Sequence, residues 1–282
     1  AIRKFKPDVI INRFDHRTSG NTHGHHSASA ILSVESFTKT NDPNVFPEQL
    51  SLVEPWQVKR QFFNTSWWFY GSQEKFNAAD KTNLISFQTG VYYASIGKSN
   101  QEIAALSRSR HQSQGFGSTG SRGEETEYLE QINGDILKGK KSIFEGIDTS
   151  WNRVKGGRAV GELLNKVIDN FDFKNPSASI FDLVKVYSMI QTLEENHWKA
   201  IKSEELKNCI AACAGLYLEA VASSQEITTG SNLKLKLEAI NRSSVGMQLV
   251  SLTTLPDSKT FPQNKVLTTN GTAASWTNAP IL

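Results

Sequence analysis

The chain has 282 residues, 38% hydrophobic and 21% charged, enough apolar material to bury a core in two domains or in one domain with an extension. Its 31 basic and 28 acidic residues leave a formal charge of +3 without a concentrated Lys/Arg stripe, which argues against a nucleic-acid partner, and no apolar run is long enough to span a membrane. The two cysteines, Cys209 and Cys213, stand four apart inside a helical pattern, a poor geometry for a mutual disulfide. Both read as small buried apolar groups.

In chain order, the first element is the β-branched run Val9-Ile10-Ile11, entered through Lys6-Pro7-Asp8. It predicts a buried parallel strand over 8–12 with neighbours on both sides, so the sequence reads as starting in mid-domain. A polar loop from Asn12 to Gly20 leads to Thr22-His23-Gly24-His25-His26, and Ser27 to Val34 follows with small and apolar residues at helical spacing. The histidines therefore fall at a strand-to-helix turn, where open α/β sheets place ligands. The aromatic stretch 56–70 (Trp56, Phe62, Phe63, Trp67, Trp68, Phe69, Tyr70) predicts one or two strands whose rings serve as core or pocket wall. Ile103, Ala104 and Leu106 predict a helix over 100–107, and the loop 108–123 carries Gly115, Gly117, Gly120 and Gly123. Those glycines fit a mobile or substrate-facing segment, but their spacing is not a nucleotide-binding fingerprint.

The pattern turns helical at 158–222. One face is Val160, Leu163, Leu164, Val167, Ile168 and Phe171; a second is Ile180, Leu183, Val184, Tyr187 and Ile190; a third is Leu206, Ile210, Cys213, Leu216 and Ala220. Beyond Ser223 the period becomes two, with Leu233, Leu235, Leu237 and Ala239 alternating with Lys234, Lys236 and Glu238. A further strand follows near Met247–Leu252, and Asn270-Gly271 is a hairpin signal. These features predict the start of an antiparallel, Ig-like β-sandwich over 224–282, preceded by a helical extension over 141–223.

The residues that carry chemistry are the histidines. His23 and His26, three apart at a helix start, share a face, and the helix N-terminus disfavours protonated imidazole and so keeps a lone pair available for metal. A catalytic zinc ion usually takes three protein ligands and keeps one open position. Two histidines alone leave a metal centre, a polar loop and a tag-like cluster as open readings.

Phe5-Lys6-Pro7-Asp8-Val9-Ile10-Ile11-Asn12, then Asp15, then His23-Gly24-His25-His26 before a small-residue helix, resembles the second signature of the PIG-L (LmbE-like) deacetylases. Arg108-Ser109-Arg110-His111-Gln112-Ser113-Gln114 is similar to the His-x-Ser-Gln segment of related bacillithiol-pathway enzymes. The resemblance covers about residues 1–140, with the later part similar to the extension of long Bacteroidetes-type members. It implies a Rossmann-like three-layer α/β deacetylase domain over 1–140, truncated at its N-terminal side. It also implies a Zn2+ ligand at His26 and an oxyanion-stabilising or protonating His23. Asp15 and Arg17 become candidates for substrate hydroxyls, beside a salt-bridge or turn role, and His111 for shaping the pocket, beside a solvated-loop role. The activity implied is zinc-dependent hydrolysis of an N-acetyl group from an N-acetylglucosamine-type sugar or conjugate, in a periplasmic or extracellular setting.

The family's first signature, Ala-His-Pro-Asp-Asp, supplies two more zinc ligands and the general base, and no His-Pro-Asp-Asp occurs here. The expectation is therefore the C-terminal half of a site, inactive as this piece alone. Gly24 and His25 replace the usual Pro and Asp, so His25 competes with His26 as ligand. Two rivals stand beside this reading: a non-catalytic glycan-binding or scaffolding protein, and a different metallohydrolase using His23, His25 and His26.

Overall fold

The computed structural model describes residues 1–18, 22–139, 142–194, 197–254 and 259–280, and the chain divides into two compact units, Ala1–Ile147 and Asp148–Leu282. The first is a mixed α/β unit, as expected, built on a four-stranded sheet. Its elements are α1 (Ile2–Phe5), β1 (Val9–Asn12), α2 (Gly24–Lys39), β2 (Arg60–Thr65), α3 (Gln73–Ala78), β3 (Leu84–Gln88), the two-residue strands β4 (Tyr92–Tyr93) and β5 (Lys98–Ser99), α4 (Asn100–Ser109) and β6 (Thr126–Gly134).

The sheet order is β1-β2-β6-β3, with β1 parallel to β2 and β6 antiparallel to both of its neighbours. Successive residues of a strand face opposite sides. In β2 both sides are covered: Phe62 packs with Ile85, Leu129 and Leu137 on one side, and Phe63 is equally buried on the other. Burying each ring contributes about 1.5–3 kcal/mol. A polar chain ties α2 to this sheet. Ser33 Oγ donates to Asn12 Oδ1 at 2.7 Å, Gln61 Nε2 donates to Ser33 Oγ at 2.8 Å, and Asn133 Nδ2 donates to Gln61 Oε1 at 2.8 Å. With both amide groups of the fully buried Gln61 satisfied, burying them carries no orphan penalty, and the middle of α2 is tied to β1 through Ser33.

Two expectations are corrected here. Strand β1 is parallel but lies at the sheet edge rather than inside it, with β2 as its one partner strand among the described residues, and Ile11 is 48% exposed. The aromatic stretch gives one of the predicted one or two strands and then a 3-10 helix, Trp67–Tyr70, ended by Gly71 at φ 83°, and not every ring joins the core. Phe69 packs edge-on against Phe63 and Tyr70 against Phe76, while Trp67 and Trp68 remain exposed. The helix expected at 100–107 is α4, started by a capping box between Ser99 and Glu102. At Gly120 a Cβ would lie 2.6 Å from the carbonyl oxygen of Gln101, so only glycine lets the loop pack this closely on α4.

In the second unit α5 (Arg158–Asp169), α6 (Ile180–Thr192) and α7 (His197–Cys213) enclose Val160, Val167, Leu183, Val186, Ile190 and Leu206. The third predicted face overshoots. Helix α7 stops at Cys213, Gly215 takes φ 56°, and Ala220 already belongs to a strand. Nor are the cysteines both buried: Cys213 is half-buried against the helical core, but Cys209 points outward and is exposed.

Strands β7 (Tyr217–Ala222), β8 (Asn232–Ile240), β9 (Met247–Thr254), β10 (Lys259–Leu267) and β11 (Thr272–Pro280) form two antiparallel sheets, β11-β8-β7 and β10-β9. The alternation in β8 appears as buried Leu237 and Ala239 against exposed Lys234 and Lys236. Asn270-Gly271 is a turn but not a hairpin, since β10 pairs with β9 and β11 pairs with β8. The amide of Asn270 instead donates to the carbonyl of the buried Asn241 at 2.7 Å. Among the described residues no helix is long and apolar enough to cross a membrane.

Candidate metal centre

The histidine cluster stands past the carboxyl end of β1, at the start of α2. His23 is the N-cap in an extended conformation (φ −62°, ψ 145°), and its side chain makes no capping hydrogen bond. It is thus free to face the same volume as the first helical turn. The ligating atoms of His23, His25 and His26 all lie within 4.8 Å of one another. Their ring centroids are 4.2 Å apart for His25 and His26, 5.3 Å for His23 and His26, and 5.6 Å for His23 and His25. A tetrahedral zinc ion with bonds of about 2.0–2.1 Å sets its nitrogen ligands roughly 3.3 Å apart, inside the 4.8 Å that encloses these three ligating atoms. The residues present therefore fit such an ion.

Phe14 stacks on the His26 ring at 4.0 Å and 7° and fixes its plane. His23 and His25 are exposed and His26 is half-buried, and none of the three imidazoles hydrogen-bonds to a described residue. Partial desolvation, and then the charges of His25 and His23, hold the His26 imidazole below the ordinary histidine range, which favours the neutral, metal-binding form.

The approach loop is held by ion pairs. Asp15 is buried, and its Oδ1 accepts from the Arg17 backbone N–H at 3.0 Å and from Arg17 Nε at 2.9 Å. The rest of the Arg17 guanidinium forms a two-point contact with Glu130 on β6, at 2.9 and 2.7 Å. His16 Nδ1 lies 3.5 Å from the same Asp15 oxygen. Asp15 and Arg17 are thus engaged with each other and with the sheet, the salt-bridge role weighed beside substrate contact. Burial pushes the Asp15 carboxyl up, but the hydrogen bonds and charge of Arg17 outweigh it and leave it below its ordinary value.

A depressed carboxylate stabilises the fold above its unfolded pKa of about 3.9 and loses that contribution as pH falls through the folded value. Asp15→Asn should therefore be less stable than the parent at pH 7, with the gap in urea midpoint shrinking below about pH 4. A gap that stays constant with pH would show that the ionised carboxylate does not stabilise the loop.

His111 is exposed in the turn after α4 and makes no contact with the histidine cluster among the described residues. The sequence reading missed Phe14 and Glu130, and also a second polar chain in which Arg13 Nη1 donates to Asn64 Oδ1 at 2.5 Å and Asn64 Nδ2 donates to Glu127 Oε2 at 2.8 Å. An apolar cavity of about 980 Å³ runs along β1 and α2, with Val9, Ile10, Ala28 and Leu32 in its wall, and reaches His25. Comparison with protein-family models, with curated proteins and with solved structures gives no match.

Proposed function

We propose that this chain carries the C-terminal half of a zinc-dependent N-deacetylase site, acting on an N-acetylglucosamine-type sugar or conjugate outside the cytoplasm. In this reading the first unit is a Rossmann-like deacetylase domain, and the strands of the second belong to an Ig-like sandwich. The observation that carries it is the convergence of three imidazole donors within 4.8 Å at the carboxyl end of a parallel strand. The motif resemblance supplies the reaction class.

Zinc at such a site polarises an amide carbonyl and lowers the pKa of a water molecule. His26, its ring plane set by Phe14, would hold the ion. His23, whose ring centroid is 5.3 Å from that of His26, donates a hydrogen bond to the oxyanion that develops as water attacks the acetyl carbon. The Asp15–Arg17–Glu130 bridge keeps the loop between β1 and α2 in the shape that presents both imidazoles. The proton of the attacking water would go to the Asp of a His-Pro-Asp-Asp signature and from there to the sugar amine as its C–N bond to the acetyl carbon breaks and acetate is released, so the complete reaction belongs to a polypeptide that contains one.

The test is zinc retention. In a polypeptide that also contains a His-Pro-Asp-Asp segment, after dialysis against metal-free buffer, His26→Ala should hold only background zinc while His111→Ala holds as much as the parent. Equal zinc in His26→Ala and the parent would remove His26 from the site and the reading with it.

A further inference from the structure

We infer that Trp67 and Trp68 form a stacking platform for a sugar ring on the same edge of the sheet as the histidine turn. The inference takes its sugar from the function proposed above and calls on no metal ion.

The sheet brings the two segments to one edge. Strands β1 and β2 run parallel with Asn12 opposite Phe63, so the loop leading to the histidines and the 3-10 helix Trp67–Tyr70 both leave the sheet at its carboxyl end, where open α/β sheets take ligands. A side-chain contact ties them together there, since Arg13 Nη1 donates to Asn64 Oδ1 at 2.5 Å. Arg13 precedes Phe14, whose ring stacks on His26, and Asn64 stands three residues before Trp67. Three Cα–Cα steps of about 3.8 Å keep the Trp67 backbone within roughly 11 Å of that contact.

The rings of the helix divide their tasks. Phe69 packs edge-on against the buried Phe63 and Tyr70 against the buried Phe76, which anchors the turn to the core. Trp67 and Trp68 each stay 49% exposed, and Trp68 meets the ring of Phe69 edge-on at 4.8 Å. The open indole surface adds nothing to folding, because only area removed from water stabilises the chain.

The groups around the indoles select the ligand. Asn64 Nδ2 donates to Glu127 Oε2 at 2.8 Å, and Arg13 is exposed with Nε and Nη2 bonded to no described residue. An apolar surface laid over the tryptophans would strip water from a guanidinium, an amide and a carboxylate without replacing their hydrogen bonds. A pyranose ring meets both demands. Its C–H face covers an indole, its hydroxyl and acetamido oxygens accept from the guanidinium, and its hydroxyls donate to the carboxylate.

The experiment is calorimetric titration of the whole chain, stripped of metal by a chelator, with N,N′-diacetylchitobiose. The parent should bind. Trp67→Ala and Trp68→Ala should each weaken binding by about tenfold or more, the factor that covering an aromatic ring supplies. Trp67→Phe and Trp68→Phe keep a smaller ring and should lose less. The disaccharide should also shift the indole N–H resonances of Trp67 and Trp68 while leaving those of Trp56, Trp151 and Trp198 in place.

If both alanine variants bind like the parent, or the two indole resonances do not move, the platform is overturned while a sugar substrate at the histidine turn still stands. If an alanine variant fails to fold, the phenylalanine variants and the resonances decide in the same sense. A parent that ignores the disaccharide but binds an apolar dye, with that binding lost in the alanine variants, would assign the pair to an apolar partner and overturn the platform as well. Sugar binding through these indoles without acetate release, once a His-Pro-Asp-Asp segment is present, would uphold the platform and reject the deacetylase reading.

Discussion

His23→Ala should keep its zinc and lose turnover by about 10²- to 10³-fold, the usual consequence of removing one oxyanion donor, or about 2.7–4 kcal/mol of transition-state stabilisation. The separation of effects follows from the local structure. The His23 side chain is exposed and makes no cap to α2, so its removal leaves the helix start intact. Phe14 continues to orient His26. The readout is kcat for acetate release with metal content measured in the same samples, in a polypeptide that also contains a His-Pro-Asp-Asp segment. Equal zinc loss in the His23 and His26 variants would show that the two imidazoles share one role.

Arg3→Met should destabilise the first unit by about 3 kcal/mol, the scale of removing the donor from buried, charge-assisted hydrogen bonds. Arg3 is 4% exposed in a helix of four residues. Its guanidinium donates to the carbonyls of Thr40 at 3.0 Å, Asp42 at 2.7 Å, Val45 at 2.8 Å and Phe46 at 3.3 Å, and to Gln49 Oε1 at 3.4 Å. Thr40 is the C-cap of α2, so the cation also meets the negative end of that helix.

Methionine keeps the unbranched apolar stem but strands the carbonyls of the loop that follows α2. Arg3→Lys should recover only part of the loss, because a point charge cannot reach the acceptors that the planar fork spans. Urea unfolding followed by tryptophan fluorescence measures both variants. A loss below about 1 kcal/mol would mean that water satisfies those carbonyls as well as the guanidinium does.

What the sequence showed and what it hid divide by range. The β-branched run, the polar loop and the small-residue helix are local signals, and they placed His23, His25 and His26 at a strand-to-helix turn that the structure contains. The edge position of β1 depends on pairing with residues 60–63, which no short window reveals. The Arg17–Glu130 contact spans 113 positions, and Arg3 meets its acceptors 37 to 46 positions away. Phe14 stands twelve positions before His26, and nothing in the local pattern announces that their rings stack. Asn270-Gly271 announced a reversal correctly and a hairpin wrongly, because turn chemistry sets a bend and not the partner of the strand that follows. Gly215, in the left-handed region, ended α7 before the apolar spacing ran out.

Acetate release from an N-acetylglucosamine conjugate tests the central claim most directly, using zinc-loaded protein that also contains a His-Pro-Asp-Asp segment. Release that stops on chelation, returns with added zinc and is absent in His26→Ala is the predicted result. Release that survives chelation or the loss of His26, or no release from the zinc-loaded parent, would contradict the assignment of this turn as the metal centre of an N-deacetylase.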